Sequence, residues 1–240
     1  MSRGNFVLVT GGARRIGRSI ALALARAGDD VAVHYLNSQA EAESLRTEIE
    51  ALGRKIIILQ ADLSQPNQLE GLMPRILEQG SLVGLVNNAS IFEKLDWNDS
   101  SLEDWNRHLM VNLSAPFLLC QAFARSLPPG EQGRIINMLD WRALRPGSDH
   151  LPYSISKAAL AALTHALAAA LAPRISVNGL ALGAVLPPTD GNNDPTILDK
   201  VPLARWASLE EVNQALVFLL HGPAYITGEI IHIDGGRHLV

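Results

Sequence analysis

Cysteine occurs once in the 240 residues, as Cys120. A single thiol excludes an internal disulfide and any cysteine-rich metal site. Its place in an apolar helical run reads as a small buried hydrophobe. No excess of positive charge is present either: Lys plus Arg number 20 against 24 Asp plus Glu, a formal net charge of −4. Such a chain is poorly suited to nucleic acid or to an anionic membrane surface. The chain runs almost at once into Phe6-Val7-Leu8-Val9, which leaves no room for a signal peptide. The Ala/Leu-rich stretch from Lys157 to Pro173 is broken by Thr164 and His165 and reads as too short for a membrane span. No repeat, charge block or low-complexity linker divides the sequence. These absences lead to the expectation of a soluble cytoplasmic protein that acts on a small molecule, with no metal, no membrane and no nucleic acid.

What is present is alternation. Apolar, β-rich runs at 6–10, 30–35, 55–60, 82–86, 133–139, 175–181 and 229–233 predict strands, and the intervening patterns at about 15–27, 38–51, 66–78, 103–126, 152–172 and 208–220 predict helices. The strands are continuously apolar, as in Lys55-Ile56-Ile57-Ile58-Leu59, which fits a parallel sheet buried on both faces by crossover helices. The expectation is one α/β domain over 1–240: a Rossmann-type, doubly wound parallel sheet of about seven strands with helices on both faces. Hydrophobic residues make up 48%, enough for a large undivided core. The turn-rich stretch 187–200 follows a strand end and reads as a short substrate loop or a plain solvent connection.

The first strand is followed by Thr10-Gly11-Gly12-Ala13-Arg14-Arg15-Ile16-Gly17 and then a helix. Small residues let the backbone approach a pyrophosphate, and a helix N-terminus offers free N–H groups and a positive dipole end. The second strand ends in Val33-His34-Tyr35-Leu36-Asn37-Ser38, without the acid that usually binds the adenosine ribose of NAD. His34, Tyr35, Asn37 and Ser38, with Arg14 and Arg15 nearby, are instead donors suited to a ribose 2′-phosphate, so the expected cofactor is NADPH/NADP+. His34 also reads as a satisfied strand-end histidine, and Ser38 as the N-cap of the next helix. Asp62, followed by Leu63, is placed to accept from the adenine amino group or to start a turn. Asn87-Asn88-Ala89-Ser90 is placed to border the adenine ribose. Asn112 lies inside a helical pattern, where a buried amide needs a partner; that indicates a structural or relay role.

Tyr153 and Lys157 stand at i, i+4, on one helix face, and Asp140 lies thirteen residues before the tyrosine. A phenol beside an ammonium can protonate a substrate, and the ammonium favours phenolate. A carboxylate does the reverse, keeping Tyr153 protonated and suited to reduction. Asp140 can also accept from a ring or amino N–H, which argues for C=N rather than C=O reduction.

Together these residues resemble the short-chain dehydrogenase/reductase superfamily over essentially the whole chain: Thr10 through Gly17, Asp62, Asn87-Asn88-Ala89, Asn112, Tyr153/Lys157, and the closing Tyr225-Ile226-Thr227-Gly228 and Asp234-Gly235-Gly236. Within it, the sequence looks most like the pteridine reductase branch, which includes dihydromonapterin and dihydrofolate reductases. Arg15 stands where most members have a glycine, Asp140 where most have a serine, and His34-Tyr35-x-x-Ser38 is similar to the branch's 2′-phosphate segment. The resemblance implies cofactor contacts from Gly11, Arg14, Arg15, Ile16, Gly17, Leu63, Asn88, Ala89, Ser90, Tyr153, Lys157, Gly183 and Val185. It implies catalysis by Asp140, Tyr153, Lys157 and Asn112, and a pterin pocket from Arg15, Ser90, Phe92, Asp140 and Tyr153, with Phe92 sandwiching a pterin against nicotinamide. It also implies a homotetramer built on the helices near 103–126 and 152–172. Leu182-Gly183 departs from the superfamily's Pro-Gly. The competing readings are a carbonyl or 3-oxoacyl reductase of the same fold and a non-catalytic NADP(H)-binding regulator.

Overall fold

Apolar strands that bury both faces need a helix layer on each side, and the chain builds both. In the computed structural model, which describes residues 4–186 and 195–240, the strands are β1 (Gly4–Val9), β2 (Asp30–Tyr35), β3 (Ile56–Gln60), β4 (Gly80–Asn87), β5 (Gly133–Asp140), β6 (Ile175–Leu182) and β7 (Ile230–Ile233). They form one parallel sheet in the order β3-β2-β1-β4-β5-β6-β7. The helices are α1 (Arg15–Ala27), α2 (Gln39–Ala51), α3 (Pro66–Leu69), α4 (Leu72–Leu77), α5 (Leu102–Leu109), α6 (Ala115–Ser126), α7 (Leu151–Leu171) and α8 (Leu209–His221).

The period of two along each strand divides the core. Val7 and Val9 of β1 join Ile20 and Leu24 of α1 and Leu216 of α8 on one face. Phe6 and Leu8 join Leu119 and Phe123 of α6 on the other. All eight residues of β6 are buried, as a central strand covered twice must be. The strand order reverses between β1 and β4, and a crevice opens at the C-terminal ends of these strands. That is where such sheets bind ligands.

Two expected helices are interrupted, each for a proline. Instead of one helix over 66–78 there are two short ones, with Pro74 in the first turn of α4, where its missing N–H is harmless. Instead of one helix over 103–126, α5 passes through a π-turn, Met110–Ser114, before α6. Pro116 has no N–H to give to Asn112, and the Ala115 N–H bonds five residues back to Met110. The Ala/Leu stretch expected to be too short belongs to a 21-residue helix, an 18-residue window of which has a mean hydropathy of 1.4, long and apolar enough to cross a membrane by length and composition alone. Here α7 packs on β5 and β6 and buries Tyr153, Ser156, Lys157, Leu160 and Thr164. The expected substrate loop lies partly outside the described residues; its end, Pro195–Lys200, is a 3-10 turn.

Candidate active site

The first turn is held by groups on three strands. The Thr10 hydroxyl accepts from the Asn88 and Ala89 N–H groups at 2.9 and 3.0 Å. The Asn88 amide donates to the carbonyls of Thr10 and Gly11 at 2.9 and 3.2 Å. Gly11 has φ +61°, and an added Cβ would stand 3.0 Å from Ala89 Cα. At Gly17 a Cβ would fall 2.2 Å from the Gly11 carbonyl oxygen, so the helix can approach the turn only without a side chain. No side chain caps α1, whose N-cap is Arg14. Its first residues, Arg15 and Ile16, line the cleft, and the uncapped helix start and glycine turn suit a pyrophosphate. Arg15 occupies the left-handed region at φ 51°, a conformation that favours glycine, where the superfamily pattern has one.

His34 is not the phosphate donor that its position implied. It is buried, its Nδ1 accepts from the Gly11 N–H at 3.1 Å, and its Nε2 meets the Ala61 carbonyl at 3.0 Å. Because Gly11 can only donate, the ring carries its proton on Nε2 and braces the first turn. Burial holds its pKa below the usual imidazole value. Tyr35 is likewise buried in the core, while Asn37 is exposed. Ser38 occupies the N-cap position of α2, but its hydroxyl makes no cap bond. Asp62 ties one carboxylate oxygen to the Ser64 N–H at 2.8 Å, the turn-starting role.

The catalytic candidates meet across β5, the π-turn and α7. The π-turn delivers Asn112 into the interior, fully buried. Its Oδ1 accepts from the Ile91 N–H and the Ser90 hydroxyl at 2.9 and 3.1 Å, and its Nδ2 donates to the Ile91 carbonyl and Ser156 Oγ at 3.0 Å each. Ser156 in turn donates to the Tyr153 carbonyl at 2.7 Å. Asn112 thus locks the β4 loop to the tyrosine's helix, a structural role in this geometry. Tyr153 donates to Asp140 Oδ2 at 3.2 Å, and Asp140 Oδ1 accepts from the Arg142 N–H at 2.8 Å. Lys157 Nζ donates to the Met138 carbonyl at 2.7 Å.

Burial pushes Tyr153 well above the usual phenol value, and the charge and hydrogen bond of Asp140 push it further. The lowering expected from Lys157 does not prevail. Burial lowers Lys157 itself to about 8, against the pull of Asp140. Burial also raises Asp140 above the usual carboxylate range, opposed by the Arg142 N–H and by the charges of Arg142 and Lys157. The phenol is therefore held protonated, ready to donate.

These groups line a cleft of about 500 Å³ that also takes in Arg15, Ile16, Asn88, Ser90, Phe92, Gly183 and Val185. The expected residues absent from its wall are Arg14, Gly17, Asn37, Ser38 and Asp62 on the adenosine side, the partly buried Gly11 and Ala89, and the buried His34, Tyr35, Leu63 and Asn112. Phe92 is 50% exposed, meets the Tyr153 ring edge-on at 4.7 Å, and stacks on His150 at 4.1 Å with 10° between planes. The wall also holds Trp141, Arg142, His150 and Arg237, none of which the sequence reading assigned to the site. The adjacency of Trp141 and Arg142 to Asp140 was their available signal; His150 and Arg237 gave none.

Residues 11–238 match the family model described as enoyl-(acyl carrier protein) reductase. The chain belongs to this family, within the short-chain dehydrogenase/reductase superfamily. It is 36% identical over 234 residues to the 3-oxoacyl-[acyl-carrier-protein] reductase of Synechocystis, with 95% of each chain covered. It is 34% identical over 239 residues to the enzyme of that name from Staphylococcus aureus, with 97% of each covered. The crystal structure of FolM alternative dihydrofolate reductase 1 from Brucella suis, in complex with NADP, superposes with a TM-score of 0.91 at 36% identity, covering 98% of this chain and 96% of that one. The chain is an oxidoreductase of the short-chain type.

Proposed function

We propose that the protein is an NADPH-dependent reductase of pteridines, acting on a C=N bond of the dihydropterin or dihydrofolate kind. The observation that carries this reading is Asp140 as the hydrogen-bond partner of Tyr153. A carboxylate there repels a carbonyl oxygen, yet it accepts readily from the ring and amino N–H groups of a pterin. The whole-chain likeness to the structure of FolM alternative dihydrofolate reductase 1 from Brucella suis supports it.

A bound reduced nicotinamide supplies hydride to the acceptor. The residues do the rest. The turn from Gly11 to Gly17 and the uncapped N-terminus of α1 receive the pyrophosphate. Asn37 and Ser38, with Arg14 and Arg15, take the 2′-phosphate. Lys157 holds the nicotinamide ribose hydroxyls, Phe92 stacks on the pterin, and Tyr153 delivers the proton from its hydroxyl oxygen. The same reading places the enzyme in the cytoplasm as a homotetramer.

A second reading, a 3-oxoacyl reductase, is favoured by the names of the Synechocystis and Staphylococcus relatives. NADPH consumption with a panel of dihydropterins, dihydrofolate and 3-oxoacyl esters decides between them. Turnover confined to the oxo esters would overturn the pteridine reading.

A further inference from the structure

The cleft concentrates positive charge beyond what a dinucleotide asks for. Its wall carries five basic residues, Arg15, Lys94, Arg142, Lys157 and Arg237, against two acidic ones, Asp140 and Asp149, on a chain of net charge −4. Arg15 belongs to the phosphate turn and Lys157 to the catalytic helix. Arg142 and Arg237 lie elsewhere. The guanidinium carbon of each stands 4.7 Å from the centroid of the Trp141 ring. Arg142 also lies 5.8 Å from the centre of Phe92, which meets the ring of the proton donor edge-on. Arg142 therefore faces the reacting end of the cleft, and Arg237 lies against the same indole.

Among the described residues, neither guanidinium has all its donors used. Arg142 reaches Asp149 at 3.4 Å and Asp140 only at 3.8 Å, and its buried Nε has no hydrogen-bond partner among the described residues. A buried guanidinium N–H without an acceptor is costly. Arg237 gives one Nη1 bond to the Ile197 carbonyl, at 2.9 Å. The turn that carries it is fixed by Asp234, which accepts from the N–H groups of Gly236 and His238 at 3.0 and 2.9 Å. Burial, and then the nearby charges of Arg142 and Arg145, depress the Arg237 pKa against the opposing pull of Asp140 and Asp149. An oxyanion in the cleft beside them would offset the positive charge and satisfy open donors.

We infer that Arg142 and Arg237, flanking Trp141, form a subsite for an anionic group, carboxylate or phosphate, carried by the small-molecule substrate at a distance from its reducible bond. This deepens the proposed reductase function and rests on Tyr153 being the proton donor.

The test pairs substrates that differ only in the acid: dihydrofolate against a dihydropterin lacking the acidic tail, a phosphorylated dihydropterin against its free alcohol, and a short 3-oxo acid against its methyl ester. The wild-type enzyme should show a KM at least about tenfold lower for an acid-bearing member, the scale of a charge-assisted pair. Arg142→Gln and Arg237→Gln should each reduce that acid-to-neutral preference about tenfold, with the NADPH Kd within twofold of wild type. The arm that shows the preference identifies carboxylate or phosphate as the source. Preference in the oxo-acid pair, with every dihydropterin inert, would sink the pteridine reading and leave the subsite standing. Equal KM values within every pair in the wild type, or variants that weaken NADPH instead, would overturn the subsite.

Discussion

The hydroxyl of Tyr153 points at the carboxylate of Asp140, 3.2 Å away. The proposed proton donor is thus oriented by a group that discourages its ionisation. That relationship makes Asp140→Ser the most direct test of substrate class. A serine restores the general superfamily arrangement and removes the acceptor for a pterin N–H. Dihydropterin turnover should fall by about 10²-fold, the scale of a lost general acid–base partner. The NADPH Kd should stay nearly unchanged, and some carbonyl reduction should emerge. Unchanged dihydropterin kinetics would remove the mechanistic role given to the aspartate.

Tyr153→Phe keeps the ring that packs edge-on against Phe92 at 4.7 Å and deletes the proton. Reduction should drop by about 10²-fold or more. NADPH should still bind and quench protein fluorescence as in the wild type. A variant that keeps more than a tenth of the wild-type kcat would mean that the proton comes from elsewhere.

The fold was legible because buried parallel strands write themselves as apolar runs, and seven of them appeared at the observed places. The interruptions were less legible, although Pro74 and Pro116 were in plain view. What was missing was the register that decides whether a proline sits in a first turn or inside a helix. The grouping of Asp140, Tyr153 and Lys157 at one cleft was readable because the tyrosine and lysine stand at i, i+4 on one helix and the aspartate thirteen residues before. His34 was misjudged in one of its two readings: residue type announces a donor, but only the sheet places the Gly11 N–H and the Ala61 carbonyl at its two nitrogens. Arg237 lies 95 residues after Arg142, and no local pattern joins them.

Cofactor preference follows from the missing acid after β2 and from the uncapped Ser38 hydroxyl. NADPH should bind at least about tenfold tighter than NADH, roughly 1.4 kcal/mol. Ser38→Ala should narrow that gap. Isothermal titration of both cofactors against both proteins measures it, and equal affinities in the wild type would refute the assignment.

Gly17→Ala tests the first turn. The new Cβ would lie 2.2 Å from the Gly11 carbonyl oxygen, a backbone atom that must move. Overpacking of this kind costs about 1–3 kcal/mol. Displacing Gly11 also strains its bond to His34. Thermal unfolding should begin several degrees lower, and NADPH affinity should fall by more than tenfold (about 1.4 kcal/mol). Retention of both would show that the turn is looser than its contacts imply.

The pH dependence separates Lys157 from Tyr153. Burial brings the ammonium down to about 8, while the phenol stays well above its usual value. Below about 8 both groups are protonated and the site is competent. As the pH rises through about 8, Lys157 loses its charge first, and with it the ammonium proposed to hold the ribose hydroxyls; Tyr153 is still protonated. The alkaline limb of kcat/KM, which reports the free enzyme, should therefore fall near pH 8, accompanied by weaker NADPH binding. Lys157→Arg keeps a cation that does not titrate in this range. Whatever activity it retains should lose that limb. An alkaline limb in Lys157→Arg at the wild-type position would assign the titration to another group and leave the lysine without the cofactor-holding role given to it here.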